Sequence, residues 1–420
     1  MGYREAIQYL YSLRRFGAKL GLENTLALAG LFGNPQNKLR FIHVAGTNGK
    51  GSTCAMLESI YRAAGLKVGL FTSPHLVSFR ERIQVDRHMI GENEVAVLVE
   101  DLVYQTRASK LQPTFFEVVT IMALRYFAAQ RCDLVIWETG LGGRLDATNI
   151  VMPIASVITN VQLDHQQWLG NAIVDIAREK AGIIKRGVPC FTAAENEGAL
   201  QTIARIVAQQ NAAFWTVSRS DAEAMRKYEI PLVGDHQLLN AALAAAVVRL
   251  LANQISVPEK TIVTGLKQTQ WPGRFQIVNR DEQTIVLDGA HNPAGAEALA
   301  AALRNRFPGV SITLVLGAMQ DKDVRAICST LAPLATKILV TRVGSERAAE
   351  PGLLLEHCRM ANPNVDVQPF DHLGQALSVA RGDSLVVVTG SLHFIGEALE
   401  LLQLSDAPSE RELNEYMPKK

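Results

Sequence analysis

Short apolar runs alternate with helical patterns through almost the whole of this 420-residue chain. In the first half the apolar runs are RFIHVA, KVGLFT, DLVIWE, IASVITN and VPCFT. Helical spacing marks STCAMLESIYRAAG and FEVVTIMALRYFAAQ between them and HQLLNAALAAAVVRLLAN after them. Strands that alternate with helices favour a parallel sheet covered by helices on both faces. The alternation therefore predicts an α/β fold whose strand ends share one edge.

The same alternation restarts after WPGRFQIVNRDE, with TIVLDG, SITLVLG, KILVT and SLVVVTG each followed by a helical pattern. A chain of this length is expected to hold two or three domains at about 150 residues each. We therefore place a boundary near residues 271–275. The prediction is an N-terminal P-loop-type parallel-sheet domain, residues 1–273, and a smaller C-terminal Rossmann-like α/β domain, residues 274–420.

Composition narrows the classes of partner. A formal net charge of +1 argues against a nucleic-acid-binding protein, which needs a basic face. The chain has no uninterrupted apolar stretch long enough to cross a bilayer, and its first residues have the pattern of an amphipathic helix. Its five cysteines are scattered and never form C-x-x-C, which favours reduced thiols. We expect a cytoplasmic protein that binds small molecules, with no nucleic acid and no membrane.

The segment HVAGTNGKGST, residues 43–53, has the context of a phosphate-binding loop, because it follows a strand and precedes a helix. Its spacing differs from G-x-x-x-x-G-K-[ST], since Val44 stands where that motif has glycine and Gly51 separates Lys50 from Ser52. We expect Lys50 to reach the β- and γ-phosphates and the Ser52 hydroxyl to reach Mg²⁺. The alternative is a glycine-rich turn without a ligand. The expected phosphate-binding residues are Thr47, Asn48, Gly49, Lys50, Gly51 and Ser52.

Two further residues follow apolar strands. Glu138 ends DLVIWE, so it is expected at the carboxyl edge of the sheet, where a Mg²⁺-binding carboxylate belongs; the alternative is a solvated strand end. His165 follows a second strand, in NVQLDHQQWLG. Hard cations favour oxygen ligands, so the pattern alone favours a structural histidine there.

The loop GTNGKGS resembles the ATP loop of the Mur ligase superfamily, and in particular that of the folylpolyglutamate synthase and dihydrofolate synthase family. The resemblance covers nearly the whole chain. It implies an ATP-dependent enzyme that joins L-glutamate to a folate. Further segments similar to that family occur in order: FTSPHL, TFFEVVT, ETGLGGRLDATN, LDHQQWLG, EKAGIIK, WPGRF and LDGAHNP.

The resemblance also implies a site with two Mg²⁺ ions. Ser73 matches a metal-contacting residue, and the histidine that matches His165 contacts the second metal. Lys180 matches a lysine that carries a carbamate, a modification that requires a neutral amine and hence a depressed pKa. The predicted metal-binding residues are Ser52, Ser73, Glu138, His165 and Lys180, and the predicted catalytic residues are Lys50, His165 and Lys180.

Four more residues are expected to bind ATP across a cleft between the domains. Asn240 matches an adenine-contacting asparagine, and Asp288 matches an aspartate that holds ATP. Arg274 lies at the expected hinge, from which an arginine can reach phosphate as the domains close. His291 is expected in the cleft without an assigned role, and the block GAMQDKD is expected to be architectural.

Similarity places the pterin of the folate beside two segments, which supply Thr114, Phe115, Phe116, Leu145, Asp146 and Ala147. From the residues alone, adjacent aromatics such as Phe115 and Phe116 favour core positions. Arg82, with Arg80, is our own hypothesis for the glutamate carboxylates, which arginine binds bidentately. Lys19 departs from relatives that also use dihydropteroate, which often have an acid before LGLE.

Other functions remain open at this stage. One is a Mur-type ligase acting on a UDP-sugar carboxylate, although the phosphate loop begins too early to leave room for a UDP-binding domain before it. A second is a P-loop ATPase switch, and a third is a nucleotide-binding module without catalysis. The expected reaction remains the ligation of L-glutamate to a folate. It uses ATP and passes through an acyl phosphate, on a protein expected to be a monomer.

Overall fold

The structure is a computed structural model that describes residues 1–13, 21–405, 407 and 410. Strands of the first sheet are β1 (Phe41–Ala45), β2 (Val68–Phe71), β3 (Ile83–Val85), β4 (His88–Met89), β5 (Leu134–Glu138), β6 (Ala155–Ile158), β7 (Cys190–Thr192) and β8 (Phe214–Thr216). Their order in the sheet is β4-β3-β2-β5-β1-β6-β7-β8. The six neighbouring strands β2, β5, β1, β6, β7 and β8 are parallel. Strand β3 runs antiparallel to both of its neighbours, β2 and β4.

Helices cover both faces of this sheet, because its central strands bury side chains on both sides. Phe41 and Trp137 point into a cluster with the helices Tyr3–Ser12 and Phe115–Gln130. Ile42 and Ile136 point into a second cluster, with the helices Lys50–Ala63 and Asp235–Leu250. The helices are α1 (Tyr3–Ser12), α2 (Glu23–Leu31), α3 (Lys50–Ala63), α4 (Glu92–Ser109), α5 (Phe115–Gln130), α6 (Gln166–Leu169), α7 (Ile173–Ala181), α8 (Glu197–Gln209), α9 (Arg219–Glu223), α10 (Asp235–Leu250) and α11 (Glu259–Lys267).

A second, smaller sheet follows. Its strands are β9 (Gln276–Arg280), β10 (Gln283–Asp288), β11 (Thr313–Leu316), β12 (Lys337–Thr341), β13 (Asp366–Phe370) and β14 (Leu385–Thr389), in the order β13-β12-β11-β14-β10-β9. Among the described strands of this sheet, β9 alone is antiparallel to its neighbour. The helices are α12 (Pro293–Arg306), α13 (Val324–Leu331), α14 (Pro351–Ala361), α15 (Leu373–Val379) and α16 (Leu392–Leu401).

The predicted α/β class, with a larger sheet domain followed by a smaller Rossmann-like one, is confirmed. Both sheets are mainly parallel, as predicted, and antiparallel strands occur towards their edges, at β3, β4 and β9. The division between residues 273 and 274 stays a proposal; it falls in the segment that joins α11 to β9.

Within the part of the chain that the structure describes, no helix combines the length and the apolar character needed to span a membrane.

The two domains also touch away from their strand ends. Leu76 and Val77, from the loop after β2, pack into the apolar cluster formed by α16 and the second sheet. A Cβ atom added at Gly396 of α16 would collide with the backbone oxygen of Leu76. Gly273 lies beside this contact, because a Cβ there would stand 2.9 Å from Ile395. An apolar contact therefore lies next to the segment that connects the domains.

Candidate active site between the two domains

A cavity of about 1030 Å³ opens where the carboxyl ends of both sheets meet. The loops after β1, β5 and β6 line it from the first domain, and the loops after β10, β11 and β12 line it from the second. Ligands of α/β proteins bind at such strand ends. The site residues predicted from the sequence line this cavity, except Arg80 and Glu138. Glu138 accepts a hydrogen bond from the amide of Ser73, which does line it.

The phosphate loop is shaped by contacts that require glycine. Gly46 directly follows β1 with φ 154°, and a Cβ there would collide with Oγ1 of Thr159. Gly49 has φ 81° and begins α3 without a side-chain cap, so the first N–H groups of that helix remain available for an anion. Lys50 Nζ donates to the carbonyls of Gly46 at 3.0 Å and Thr47 at 3.2 Å. The lysine therefore lies over the loop whose phosphate it is expected to bind.

Ser52 and Glu138 offer oxygen ligands beside this loop. The Ser52 hydroxyl is buried and has no hydrogen-bond partner among the residues that the structure describes. Glu138 is buried, accepts a hydrogen bond from the Ser73 amide at 3.1 Å, and has its pKa raised by burial to about 7 despite the opposing charge of Lys50. A buried hydroxyl without a partner next to a desolvated carboxylate fits a hard divalent cation.

Those two groups do not form a complete metal cage. Among the residues that the structure describes, no group of three or more His, Cys, Asp or Glu side chains is assembled for a metal. Mg²⁺ usually takes one or two carboxylates and completes its shell with water and substrate phosphates. The residues present therefore fit a cation that arrives with a nucleotide.

Lys180 and His165 also line the cavity, and the pKa of each is lowered from its ordinary value. Lys180, on α7, is buried and donates to the Gly46 carbonyl at 2.9 Å. Burial and the nearby charge of Lys50 lower the pKa of Lys180 to about 7. Burial likewise lowers the pKa of His165 to about 4. A neutral lysine amine is the form that reacts with CO₂, and a neutral imidazole is the form that binds metal.

Arg274 and Asp288 form the hinge side of the cavity. The Asp288 carboxylate accepts from the amides of Phe275 at 2.8 Å and Ala290 at 2.9 Å, so it ties the hinge to the end of β10. Burial raises the pKa of Asp288, and Arg274 opposes that shift. The Nδ1–H of His291 donates to the Gly289 carbonyl at 2.8 Å.

Asn240, on the first turns of α10, faces the phosphate loop. Its side-chain amide donates to Gln237 Oε1 at 3.0 Å. A Cβ on Gly49 would stand 2.6 Å from Asn240 Oδ1. Asn240 is therefore held directly against the start of α3, in the cavity.

The predicted folate segments line the apolar end of the cavity. Thr114 caps α5, with its amide donating to Glu117 Oε2 at 2.6 Å, and this places Phe115 and Phe116 at the first turn. The ring of Phe115 stacks on Tyr11 at 5.6 Å between centroids. Both phenylalanines are partly exposed, so the core role that their pattern favours does not bury them fully.

Asp146 and Arg82 have different surroundings. Both Asp146 carboxylate oxygens accept hydrogen bonds from backbone amides, one from Leu141 at 2.7 Å and one from Thr148 at 3.0 Å. This carboxylate therefore fixes the loop that carries Leu145 and Ala147. Arg82 Nε donates to His75 Nδ1 at 2.7 Å, and the guanidinium lies 5.4 Å from the Phe115 centroid.

The suggestion for Arg80 is wrong: its side chain turns to the Ile90 carbonyl and to Glu92, outside the cavity. Lys19 lies outside the described residues.

The sequence analysis missed three residues that join the domains. Lys322 Nζ, from the block expected to be architectural, donates to Asp164 Oδ1 at 2.6 Å. Asn292 Nδ2 donates to Asp164 Oδ2 at 3.1 Å and to Asn48 Oδ1 at 3.0 Å. Burial alone would raise the pKa of Asp164, but neighbouring His165 and Lys322 hold it well below its usual range. The sequence could have indicated these three residues by their position, because each follows a predicted strand at the edge that the strand ends share.

Comparisons with known proteins agree on one family. Residues 44–227 match the Mur ligase middle domain, and residues 273–392 match the glutamate ligase domain of Mur ligases. The dihydrofolate synthase/folylpolyglutamate synthase of Bacillus subtilis is 35% identical over 427 residues, covering 96% of this chain and 99% of that protein. Escherichia coli FolC in complex with DHPP and ADP superposes with a TM-score of 0.86 at 33% identity, covering 96% of this chain and 98% of that one. Mycobacterium tuberculosis folylpolyglutamate synthase complexed with ADP gives 0.85 at 29% identity, covering 97% and 100%.

Proposed function

The chain belongs to the folylpolyglutamate synthase/dihydrofolate synthase family of Mur ligases, and from that premise we propose that it joins L-glutamate to a folate at the expense of ATP. One observation carries the proposal: the phosphate loop, the aromatic end of the cavity and the C-terminal domain all face a single space. An ATP-dependent ligase needs that arrangement, because the nucleotide, the acid and the amine must meet.

In the first step, a carboxylate oxygen of the folate attacks the γ-phosphorus of ATP, and the bond to the bridging oxygen breaks to release ADP. Negative charge spreads over the transferring phosphoryl group. Lys50 and the N–H groups at the start of α3 are placed to stabilise that charge, and Arg274 approaches from the hinge. The product of this step is an acyl phosphate.

In the second step, the amine of glutamate attacks the acyl carbon. An amide bond forms, the amine loses a proton, and inorganic phosphate leaves. Water would compete for the same acyl phosphate, so a closed cavity favours the amine.

The residues that would hold Mg²⁺ form two groups, the first with Ser52, Ser73 and Glu138 and the second with His165 and carbamylated Lys180. Bound there, the ions would neutralise phosphate charge during transfer. The buried hydroxyl of Ser52 and the raised pKa of Glu138 support the first group.

Carbamylation of Lys180 is part of this proposal. The lysine is buried with a pKa lowered to about 7, so much of its amine is neutral near neutral pH and available to CO₂. The holoenzyme equilibrated with ¹³C-bicarbonate is expected to show a carbamate ¹³C resonance that Lys180→Met abolishes. Lys185→Met is the matched control, because Lys185 is only partly buried and donates to the Asn149 carbonyl instead. A spectrum without any Lys180-dependent resonance contradicts the modification.

For the organic substrate, we assign the pterin to the apolar end, where Phe115 and Phe116 offer ring faces and Leu145 and Ala147 line the wall. Thr114 and Asp146 shape those segments through the backbone contacts described above. Arg82 lies beside this end and is assigned to a glutamate carboxylate of the substrate.

For the nucleotide, Thr47, Asn48, Gly49 and Gly51 join Lys50 and Ser52 around the phosphates. Asn240 is assigned to the adenine, and Asp288 and His291 face the nucleotide from the second domain. Free, buried cysteines fit a cytoplasmic protein, and the proposal also takes the protein to be a monomer.

The test is an assay with ATP, Mg²⁺ and labelled glutamate, offering tetrahydrofolate and dihydropteroate separately. We expect labelled glutamate in the folate product, with ADP release that depends on both glutamate and folate. Release of ADP without them would indicate an ATPase switch, and no turnover with any folate would point to a UDP-sugar ligase or an inactive module. Arg82→Ala in the same assay is expected to raise KM for the anionic substrate; an unchanged KM would remove Arg82 from the site.

A further inference from the structure

A single carboxylate of the first domain receives polar contacts from several residues of the second. Asp164 Oδ1 accepts the ammonium of Lys322 at 2.6 Å, and Oδ2 accepts the amide of Asn292 at 3.1 Å. His291 Nε2 stands 3.8 Å from the same Oδ2. The side chains of Asp164 and Lys322 are 8% and 9% exposed, so this ion pair is largely out of water.

The contact continues into the phosphate loop. Asn292 and Asn48 exchange amide hydrogen bonds, at 3.0 Å in one direction and 3.2 Å in the other. Each amide is oriented by a second partner, since Asn48 Nδ2 also donates to Gln162 Oε1 at 2.8 Å and Asn292 Oδ1 also accepts the amide of Gly295 at 2.8 Å. The start of α12 is thereby joined to the loop expected to hold the phosphates.

These bonds can form only when the two domains face each other closely. In an open arrangement water would solvate both Asp164 and Lys322, so the pair adds little to the stability of either domain alone. Removing one partner from the closed arrangement leaves the other charge buried and unpaired, which disfavours that arrangement. The pair therefore acts on the balance between open and closed forms.

We propose that Asp164 and Lys322 are positioning residues that keep the domains closed from the formation of the acyl phosphate until the amine attacks it. The Asn48–Asn292 pair connects that closure to the phosphate loop. This inference rests on the proposed function, because it assigns the pair to protection of that intermediate. Loss of the pair should let water reach the acyl phosphate, so ADP would be released without amide formation.

The first experiment measures ADP released per amide bond formed in full-length Lys322→Met and Asp164→Asn. Both variants are expected to raise this ratio about tenfold over wild type, in keeping with a buried charge pair broken on one side. Lys322→Arg keeps the charge and should recover much of the coupling. Lys337→Met is the matched control: Lys337 pairs with Asp383 inside the second domain, at the far end of β12, and its loss should leave the ratio unchanged.

The second experiment follows closure without relying on catalysis. The five native cysteines are buried, so cysteines introduced at exposed Val97 and Met360, one in each domain, can be labelled for fluorescence energy transfer. With ADP and Mg²⁺ bound, Lys322→Met is expected to populate the open form far more than wild type or Lys337→Met.

The inference is overturned if Lys322→Met and Asp164→Asn keep both the wild-type ratio and the wild-type transfer efficiency. It is also overturned if Lys322→Arg is as uncoupled as Lys322→Met. If wild type forms no amide with any folate, the proposed function fails, while the energy-transfer measurement still decides whether the pair holds the domains closed.

Discussion

Glu138 shows how a single residue is prepared for a cation at a cost in stability. Burial raises the pKa of its carboxyl from 4.5 to about 7. A group whose pKa is raised on folding stabilises the fold fully below its unfolded pKa, and that contribution is lost as the pH rises through the folded pKa. Above pH 7, ionised Glu138 therefore costs the cation-free protein about 3 kcal/mol.

We accordingly predict that Glu138→Gln increases the free energy of unfolding, without nucleotide or Mg²⁺, by about 2–3 kcal/mol at pH 8 and by about 1 kcal/mol at pH 5.5. Urea titrations at both pH values measure the difference. The exposed Glu356→Gln on α14 is the control and should show no pH-dependent gain. The variant should also lose glutamate-dependent ADP release. An equal gain at both pH values would contradict the argument.

The position of Lys180 could have been predicted from the residues of its own helix. On α7 the buried residues are Ile176, Ala177, Lys180 and Ala181, so the lysine occupies the apolar stripe at helical spacing. A lysine in such a stripe must be buried, and burial lowers its pKa. Its contact with the Gly46 carbonyl could not be predicted, because the helix pattern does not say what lies opposite.

At the scale of elements, the unusual glycine spacing of the phosphate loop has a packing cause. A Cβ on Gly51 would stand 2.9 Å from the ring of Trp271. The first turn of α3 therefore has no room for a side chain where the hinge segment crosses it. Gly46 and Gly49 meet different neighbours, Thr159 and Asn240. The sequence showed the loop between a strand and a helix. The reason for the extra glycine lies far along the chain, at the hinge.

The strands that the alternation did not predict are short or lie at sheet edges. β3, β4 and β8 have two or three residues each, and β13 contains Pro369, which an edge strand tolerates because one side forms no ladder. β9 also lies at an edge and has only partly buried or exposed side chains. Apolar runs identify strands that are buried on both faces, so the central strands, which position the site, were the predictable ones.

At the scale of the whole molecule, the relative position of the two domains could not be predicted from the sequence pattern. Asp164 and Lys322 each follow a strand, but nothing local indicates that the two strands belong to facing sheets. The same holds for the apolar contact on the other side of the hinge, between Leu76 and Gly396. The domains are therefore joined by polar pairs at the cavity and by an apolar contact beside the hinge, which would let closure turn about that apolar contact.

That arrangement predicts an unusual sign for Gly396→Ala. In the interior of a helix such as α16, alanine normally stabilises by about 1 kcal/mol relative to glycine. Here the added Cβ would collide with the backbone oxygen of Leu76. That loop cannot move easily, because the Glu81 carboxylate accepts the amides of Leu76, Val77 and Ser78 at 2.7–2.8 Å.

We therefore expect Gly396→Ala to lower the free energy of unfolding by about 1–3 kcal/mol, as overpacking does. Calorimetry should show a lower Tm, and energy transfer between the labelled domains should change even without nucleotide. Gly374→Ala on α15 is the matched control: it makes the same substitution in a helix of the same domain, with nothing within 4 Å of the new Cβ, and should leave Tm unchanged or slightly raised. If Gly396→Ala also leaves Tm unchanged or raises it, the contact beside the hinge yields freely and cannot set the axis about which the domains close.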